Sequence, residues 1–507
     1  MISSKSLIAK NTLMLYFRML LIMGVSLYTS RVVLNVLGVD DFGIYNVVGG
    51  FVMMFGFLNA SMTSATQRFL SFELGLNKLD ELKKTFQVTL NIHLTIAILI
   101  FLFAESIGMW FLKTQMNFPT ERMEAAIWVF QFSLFSLLIS IIQVPYTASL
   151  IAHERMNIYA CISVLEAVFK LTIVFILEWG VFDKLKLYAA LLFIVTFFIA
   201  LIYKLYCKYF FLECRYSLIW DKNIYFKLLN YGGWNLYGSS AYIGCLQGGN
   251  ILLNMFFGPS VNAARGIAFQ VNAATQSFMT NFQLAINPSI VKSYAQKEQY
   301  YMYRLVCLSS KFSFLLLAAL AVPILFETKT ILYLWLGIVP SSTILFCRLI
   351  IINSLIDSFS GGLITAIQAT GKIKKYQIVI GTIWLINLPI SYLFFKLGYP
   401  AEITFYVSIF ISIIALLFRM FILHDILDIN IKSFFKYVIF QALTVSILAS
   451  LLPLSIAWLL SPGFLRLVVI SFLSMFSFCF WVYNICLSKE DKEKLRNKMN
   501  FIYYNWK

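Results

Sequence analysis

Long runs of apolar residues recur along the whole chain, and short polar connections separate them. A run of about 20 apolar residues is long enough for an α-helix to cross the hydrocarbon of a bilayer. In lipid the backbone must satisfy its own hydrogen bonds, which favours helices. We therefore predict an all-α polytopic membrane protein with about fourteen transmembrane helices. The predicted spans are 11–37, 42–70, 84–112, 122–150, 156–180, 185–212, 224–256, 260–290, 301–326, 341–370, 373–397, 401–424, 432–456 and 463–487.

Short motifs that recur along the chain indicate an internal repeat. Asn35 and Asn254 each precede a glycine-containing turn and a new apolar run, and similar segments around Arg155 and Lys372 have nearly the same offset. An even number of spans separates the copies, so the repeats are parallel, and such two-lobed repeats are typical of alternating-access transporters. The predicted domains are an N-lobe (1–212), a C-lobe (213–424), two further helices (425–487) and a basic cytoplasmic tail (488–507).

Composition and charge agree with a membrane protein. Of the 507 residues, 60% are hydrophobic and 12% are charged, and the mean hydropathy is +0.82, whereas soluble domains carry about 25% charged residues. Most of the 40 Lys and Arg residues fall on alternate connections, which the positive-inside rule assigns to the cytoplasm. Both termini are therefore predicted to be cytoplasmic. The net charge of +17 then reflects topology and attraction to anionic lipids, and we expect no nucleic-acid partner.

Two polar stretches occupy corresponding spans of the two lobes. The second span contains NASMTSATQRF, with Asn59 and Gln67, and the eighth contains FQVNAATQSFMTNFQLAINPS, with Asn272 and Gln276. Small polar residues also line contacts between packed helices. Because the two stretches match in position, we interpret them as the lining of a central cleft.

Several cations lie inside predicted spans. Arg18 and Arg265 have no acidic residue at a helical spacing, and Arg348 lies about two turns inside the tenth span. An unpaired cation in hydrocarbon costs at least ~2.5–3.5 kcal/mol. These arginines either snorkel to the headgroup region or line a cationic cavity, where the guanidinium fork suits phosphate oxygens. Lys170 is expected to pair with Glu166, four residues earlier on the same helix face.

Four acidic residues raise the question of ion coupling. Asp40 and Asp41 lie in the turn GVDDFG after the first span, where either can cap the next helix. Glu105 and Asp357 lie within spans, where each can hold a proton or sodium ion or pair with a cavity cation. Asp40, Glu105 and Asp357 are therefore the candidate coupling residues. The sequence has no nucleophile motif and no metal-ligand spacing, so we predict no enzyme, no metal site and no cofactor beyond coupling Na+ or H+.

Two segments carry a family resemblance. The stretch VLNVLGVDDFGIYNVVGGFVMMFGFLNASMTSATQRFLSFELG, residues 33–75, resembles the start of Wzx-type O-antigen and polysaccharide repeat-unit flippases. The stretch IQVPYTASLIAHERMNIYA, residues 142–160, is similar to the family's segment between the fourth and fifth helices. The family belongs to the multidrug/oligosaccharidyl-lipid/polysaccharide (MOP) superfamily, together with lipid II flippases and the MATE drug/cation antiporters.

The resemblance implies a MATE-like V-shaped bundle and a lipid-linked substrate. That substrate is an oligosaccharide on undecaprenyl diphosphate, moved from the inner to the outer leaflet of the bacterial cytoplasmic membrane. Membrane lipids and polysaccharide polymerase or chain-length machinery are the further partners implied. Related lipid II flippases carry cavity arginines on the first, second and eighth helices, the order occupied here by Arg18, Arg68 and Arg265. The predicted substrate-binding residues are Arg18, Arg68, Arg265, Arg348, Asn59, Gln67, Asn272 and Gln276.

Three alternatives remain open at the level of sequence. A MATE-like drug/cation antiporter should favour carboxylates in its cavity, and this chain offers more intramembrane arginine than acid. A polysaccharide polymerase or ligase should carry a large outer loop with catalytic residues, and no outer connection is long enough. A passive scramblase differs from a coupled flippase only in its independence of an ion gradient.

Overall fold

The structure is a computed structural model that describes residues 4–54, 56–114, 120–179, 183–217, 219–336, 339, 342–486 and 492. Within these ranges the fold is all-helical, without a β-strand. The main helices are α1 (Ser4–Met54), α2 (Phe57–Gly75), α3 (Leu79–Thr114), α4 (Met123–Ala152), α5 (Met156–Trp179), α6 (Lys184–Phe210), α7 (Lys222–Phe257), α8 (Pro259–Ala295), α9 (Gln299–Leu336), α10 (Thr343–Ser358), α11 (Ser360–Thr370), α12 (Lys374–Lys396), α13 (Ile403–Leu427), α14 (Ile431–Leu459) and α15 (Phe464–Cys486).

Most predicted spans coincide with these helices. From position 79 onward, each predicted span corresponds to one helix or to the bent pair α10–α11. In the part of the chain that the structure describes, nine helices are long and apolar enough to cross a membrane, or ten if the bent pair counts as one span. The protein is therefore a multi-pass membrane protein, and the total of fourteen spans stays a prediction.

The start of the chain differs from the predicted spans. α1 is interrupted at Gly38, whose φ of 80° lies in the left-handed region, at the position where the sequence predicts a turn. A second break precedes α2, where Gly56 is the N-cap residue. The predicted span 42–70 is therefore divided between α1 and α2, because glycine disfavours the interior of a helix.

Asp41 anchors the segment that follows the Gly38 break. Its carboxylate accepts a hydrogen bond from Arg122, which also donates from Nη1 to Oδ2 of Asp183 at 2.8 Å. Asp183 in turn caps α6 by accepting from the backbone N–H of Leu185 at 3.0 Å. An ion-pair cluster thus joins α1, the start of α4 and the start of α6. The Asp40 side chain lies outside the described part of the chain, so its coupling role stays a prediction.

The chain forms two compact units. Unit 1 comprises Met1–Ala241, Leu284–Met302 and Gln368–Gly381, and unit 2 comprises Tyr242–Gln283, Tyr303–Ile367 and Thr382–Lys507. In unit 1, Phe86 and Tyr146 pack with 5.3 Å between ring centroids, and in unit 2, Phe346 and Phe405 pack at 4.5 Å. Because lipid tails are as apolar as these rings, close packing rather than water exclusion holds such helices together. The predicted division into lobes at position 212 stays a prediction.

Polar contacts attach α14 and α15 to α9 within unit 2. Arg466 Nε lies 2.5 Å from Oε1 of Glu327, whose side chain is fully buried. Lys311 Nζ donates to Oε1 of Gln441 at 2.6 Å, and Gln441 donates to the backbone carbonyl of Ile485 at 2.7 Å. Removing one partner of a buried ion pair typically costs 3–5 kcal/mol, roughly. These contacts therefore fix the last two helices against α9.

The bend between α10 and α11 positions polar residues for the site described next. The two helices meet at 43°, directly before the pair Gly361 and Gly362, and Ser and Gly residues are a common cause of kinks. A Cβ atom at Gly362 would lie 2.7 Å from the backbone oxygen of Val306 on α9. Glycine is therefore required for this close approach, and Asp357 lies one residue before the last residue of α10.

Candidate functional site

A small polar cavity lies inside unit 2, among α7, α8, α10, α12 and α13. Its volume is about 70 Å³, which corresponds to roughly two water molecules at ~30 Å³ each. Four residues that the sequence singles out line it together: Arg265, Asn272 and Gln276, predicted to bind substrate, and Asp357, predicted to couple an ion. The remaining polar lining comes from Asn353, Ser354, Asn387, Thr404 and Ser408.

The amides of α8 converge on one hydroxyl of α10. Asn272 and Gln276 are four residues apart and share a helix face. Ser354 Oγ donates to Asn272 Oδ1 at 2.7 Å and accepts from Gln276 Nε2 at 2.8 Å. The polar stretch of the eighth predicted span therefore joins two helices and also faces the cavity, so helix packing and cavity lining are combined in the same side chains.

Arg265 lies at the wall of the polar cavity and is only 8% exposed. Its guanidinium donates to the side-chain oxygen of Asn250 and, from Nη2 at 3.2 Å, to the carbonyl of Leu246. The cation also lies over the ring of Phe269, with 4.4 Å from Cζ to the centroid. A Cβ atom at Gly249 would lie 3.3 Å from Nη2. Among the residues that the structure describes, Arg265 forms no ion pair, so neutral oxygens and an aromatic face satisfy its charge.

Asp357 supplies a carboxylate to the same cavity. Its Oδ2 accepts from Asn353 Nδ2 at 3.1 Å, while Oδ1 is buried without a hydrogen-bond partner in the described part of the chain. Arg419 is close enough to interact with Asp357 electrostatically. Tyr242 is within electrostatic range of both Asp357 and Arg265. The cavity therefore brings a carboxylate and a guanidinium near one tyrosine. Oδ1 of Asp357 forms no hydrogen bond in the described part of the chain, although the Ser412 hydroxyl and Arg419 both interact with this carboxylate.

The other predicted arginines lie elsewhere. In unit 1, Arg18 donates from Nη2 to the Tyr159 hydroxyl at 3.3 Å, and its Cζ lies 4.5 Å from the ring centroid. Arg68 lines a second cavity, also in unit 1. In unit 2, Arg348 Nε lies 3.4 Å from the Thr328 hydroxyl, and Arg348 does not line the polar cavity. A common cavity for all predicted arginines stays a prediction.

The remaining candidates are not brought into either cavity. Asn59 has a buried Oδ1 without a partner among the described residues, and Gln67 is half-buried. Glu105 lies in a π-helical turn, Ala104–Gly108, with its Oε1 buried and unpartnered within the described ranges. The predicted pairing of Lys170 with Glu166 is confirmed at 2.6 Å.

Sequence reasoning missed several polar residues of the site. Asn387 on α12 donates to Ser408 on α13 at 2.9 Å, and Thr404 lies one turn before Ser408. Arg419, which lies inside the predicted span 401–424 and was not singled out, is 5% exposed within α13 and donates to Ser360 at 2.9 Å. The available signal was the recurrence of polar residues four positions apart in otherwise apolar spans.

Comparisons with solved structures identify the fold. The chain is similar to an outward-facing multidrug resistance MATE family transporter of the MOP superfamily, with a TM-score of 0.73 and 14% identity over 84% of this chain and 96% of that one. It is similar to a MATE in the straight conformation, with a TM-score of 0.72, 14% identity and the same coverage. The fold is therefore that of MATE transporters.

A further neighbour is a MOP superfamily transporter from Pyrococcus furiosus, for which reverse polarity of the binding pocket suggests a different function. The TM-score is 0.69 and the identity 13%, over 84% of this chain and 96% of that one. No family profile and no curated protein matches the sequence.

Proposed function

We propose that the protein is a flippase that moves undecaprenyl-diphosphate-linked oligosaccharide repeat units across the bacterial cytoplasmic membrane by alternating access. The supporting observation is Arg265, a buried guanidinium held by neutral oxygens and surrounded by amide and hydroxyl groups. A permanent cation without a carboxylate partner among the described residues attracts an anion. The Pyrococcus furiosus neighbour shows that pocket polarity differs within the superfamily.

The chemistry of the headgroup suits this arrangement. A diphosphate cannot cross hydrocarbon unaided, and a guanidinium presents paired donors that match phosphate oxygens. Amides and hydroxyls such as those of Asn272, Gln276 and Ser354 suit sugar hydroxyls. The cavity of about 70 Å³ takes water rather than a sugar, so headgroup contact with Arg265 requires the surrounding helices to part during the transport cycle. The polyprenyl chain stays in lipid throughout, and no bond is broken.

We assign ion coupling to Asp357. Its unpartnered Oδ1 can take a proton or a sodium ion, while Asn353 holds the other oxygen at 3.1 Å. An anion at Arg265 and a cation at Asp357 favour each other, because two unit charges ~8 Å apart attract by about 2 kcal/mol at an effective dielectric constant of ~20. By linkage the preference is reciprocal. Binding of the lipid-linked anion would therefore recruit the coupling ion.

A drug/cation antiporter is the second candidate, and Asp357 is the observation that favours it. A buried carboxylate with a free oxygen can bind an organic cation as well as a coupling ion. In proteoliposomes, an antiporter would exchange protons or sodium for a lipophilic cation and would leave lipid-linked oligosaccharides in place. The flippase would expose a lipid-linked oligosaccharide to an external glycan-binding probe and would not move the drug.

Complementation of polysaccharide export in a flippase-deficient strain tests the role of Arg265. A charge-assisted hydrogen bond is worth about 1.5–3 kcal/mol, so Arg265→Ala should reduce export about ten-fold to more than a hundred-fold. Arg265→Lys keeps the charge but loses the fork, so it should retain part of the activity. Arg304→Ala is the control for the loss of one arginine charge, because Arg304 is an exposed residue of unit 2 outside the cavity lining, and it should export as the wild type does. If Arg265→Ala is present in the membrane at the normal level and exports polysaccharide at the wild-type rate, the proposed role of Arg265 is wrong.

We also propose an inside location for both termini and operation beside polysaccharide polymerase or chain-length machinery. Cysteine labelling from outside intact cells should reach Glu121→Cys, at an exposed position before α4, but not Lys374→Cys. Labelling of the variant at position 374 in intact cells would contradict the proposed topology without bearing on the chemistry of Arg265.

A further inference from the structure

A second cavity, in unit 1, is ten times larger and strongly basic. It has a volume of about 700 Å³, within the ~300–1,000 Å³ range of small-molecule sites. Its basic lining residues are Arg68, Lys227, Lys372, Lys374 and Lys375, and none of the described lining residues is acidic. We call this cavity the basic pocket. Its lysines lie on connections that the distribution of Lys and Arg assigns to the cytoplasm.

Arg68 is the buried cation of the basic pocket. Only 8% of the residue is exposed. Its Nη2 donates to the carbonyl of Ala369 at 2.7 Å and its Nε to the carbonyl of Gln368 at 3.2 Å, both at the C-terminal end of α11. Gly371 follows with a φ of 74°, and a Cβ there would lie 3.1 Å from Nη2. The helix end and the glycine therefore hold the guanidinium in place, and Nη1 has no hydrogen-bond partner among the described residues.

The four lysines of the pocket are exposed. Lys227, Lys372 and Lys374 form no ion pair within the described ranges of the chain. Lys374 lies over the ring of Trp234, with 5.0 Å from Nζ to the centroid. Glu73 is within electrostatic range of Arg68 and Lys227 but does not line the pocket. The cationic charge of the pocket is therefore not neutralised by a lining carboxylate.

We propose that the basic pocket is a binding site for a phosphate-bearing anion, with Arg68 as its fixed donor and Lys227, Lys372 and Lys374 as mobile charges around it. A guanidinium offers directional donors, whereas an ammonium acts as a compact point charge on a flexible stem. Together they can follow the several oxygens of a phosphate or diphosphate. Trp234 adds an apolar face against which a sugar or lipid segment can lie.

The ligand chemistry has two sources, a lipid headgroup or a soluble phosphate compound. Both share the phosphate or diphosphate group that the pocket would recognise. The inference deepens the proposed function and rests on it in one respect, because Arg68 is already a predicted substrate-binding residue, whereas the pocket and its lysines are not among the predicted site residues. Occupancy of the basic pocket can be measured without any translocation, so a failure of this inference is distinguishable from a failure of the proposed function. The binding tests are independent of the export assays on Arg265.

The first test is calorimetric titration of inorganic pyrophosphate into the full-length protein in nanodiscs of zwitterionic lipid. The wild type should bind. The triple variant Lys227→Gln, Lys372→Gln and Lys374→Gln should bind at least ten-fold more weakly. The matched control replaces Lys204, Lys208 and Lys222, three exposed lysines of unit 1 outside the pocket, with glutamine. It carries the same change of charge and should bind as the wild type does.

The second test distinguishes the sources of phosphate. Asn230 is an exposed lining residue, so Asn230→p-benzoylphenylalanine can cross-link a bound molecule under ultraviolet light. Cross-linking to undecaprenyl phosphate in the nanodisc, with suppression by pyrophosphate, would support a lipid headgroup. Pyrophosphate binding without a lipid cross-link would support a soluble phosphate ligand.

Two results would overturn the inference. One is an absence of pyrophosphate binding together with an absence of a lipid cross-link. The other is an equal loss of binding in the pocket variant and in the control variant, which would show attraction to net charge rather than to this site. Because all the replaced lysines are exposed, both triple variants should keep the melting temperature of the wild type, which is the check on folding.

Discussion

Arg68 in unit 1 and Arg265 in unit 2 are held in nearly the same way. Each is 8% exposed. Arg68 donates to two backbone carbonyls of another segment, and Arg265 donates to one backbone carbonyl and one amide oxygen. Each lies over the ring of a phenylalanine four residues later, Phe72 at 4.6 Å and Phe269 at 4.4 Å. Each also lies beside a glycine. The local arrangement that keeps an arginine buried in a membrane helix is therefore repeated in the two units.

The surroundings of the two arginines are different. Arg68 faces a cavity of about 700 Å³ with exposed lysines, whereas Arg265 faces one of about 70 Å³ with amides, hydroxyls and Asp357. Charges in a large, open pocket are screened by solvent and salt, whereas charges in a small, buried cavity are screened much less. A buried arginine alone thus does not determine what a cavity binds. Lysines around Arg68 favour the binding of any phosphate, whereas Asp357 near Arg265 can couple the binding of an anion to that of a cation.

Replacing Asp357 should have the largest effect, because Asp357 is the only acidic residue among the described lining residues of the two cavities. Asp357→Asn can still accept from Asn353, so the fold should survive, and loss of a buried charge should not lower the melting temperature. Export in proteoliposomes should lose its dependence on the ion gradient and fall more than ten-fold. The measurement is flipping with and without an imposed gradient.

The control for that experiment is Glu166→Gln, which removes another half-buried carboxylate within a membrane helix that lines neither cavity. Its flipping should keep the gradient dependence of the wild type. Equal losses in the two variants, or retained gradient dependence in Asp357→Asn, would show that the polar cavity does not couple an ion.

The two glycines beside the arginines should differ in their tolerance of alanine. Gly371 has a φ of 74°, and a left-handed conformation costs an L-residue roughly 1–2 kcal/mol. Gly371→Ala should therefore lower the melting temperature and weaken pyrophosphate binding about ten-fold. Gly249 lies within α7, where alanine gains helix propensity of up to about 1 kcal/mol, which offsets its 3.3 Å approach to Arg265. Gly249→Ala should be nearly neutral, and equal thermal destabilisation would contradict the comparison.

Ionic strength should affect pyrophosphate binding in the basic pocket more than transport through the polar cavity. The Debye length falls from ~10 Å at 0.1 M to ~3 Å at 1 M salt, so pyrophosphate binding in the exposed basic pocket should weaken several-fold over that range. The ratio of the flipping activity of Arg265→Lys to that of the wild type should not change with salt, since the difference between them arises in a buried cavity where salt ions screen charges little. Titrations and flipping assays in a chemically inert salt measure both. Salt-independent pyrophosphate binding would place the ligand away from the exposed lysines.

The sequence predicted the helices well and the sites only in part. Apolar length determines a membrane helix, so spans from position 79 onward match the structure, whereas the glycine break at Gly56 was not foreseen. The intramembrane cost of charge singled out Arg265 and Asp357, and the structure places both in the lining of one cavity. Helical spacing within α8 likewise related Asn272 to Gln276, and both line the same cavity.

Contacts between distant segments were beyond sequence reasoning. Arg419 lies near the end of the predicted span 401–424, where a cation can reach the headgroup region, yet its charge is buried and bonded to Ser360 at the start of α11. The basic pocket combines Arg68 with Lys227 and the segment after α11, and only the fold brings these together. Spacing along one helix reveals a shared face, but a partner on another helix depends on packing that one sequence does not specify.

The smallest expected effect concerns the stacked phenylalanines. A cation over an aromatic ring contributes roughly 0.5–1 kcal/mol at exposed sites and more when desolvated. Arg68 lies near three rings, those of Phe69, Phe72 and Tyr231, so Phe72→Leu leaves two of them in place. Arg265 lies over Phe269, and Phe269→Leu removes that face.

Phe269→Leu should therefore lower the free energy of unfolding by about 1 kcal/mol and Phe72→Leu by only a few tenths. The measurement is the melting temperature of the detergent-solubilised protein, which should fall more for Phe269→Leu. Both replacements remove a similar ring volume, which makes each the volume control of the other. Phe269→Leu in an Arg265→Gln background should have less effect than in the wild type, since no cation remains to stack. An undiminished effect in that background would mean that Phe269 acts through packing alone, and the parallel between the two arginines would then rest on their backbone carbonyl partners.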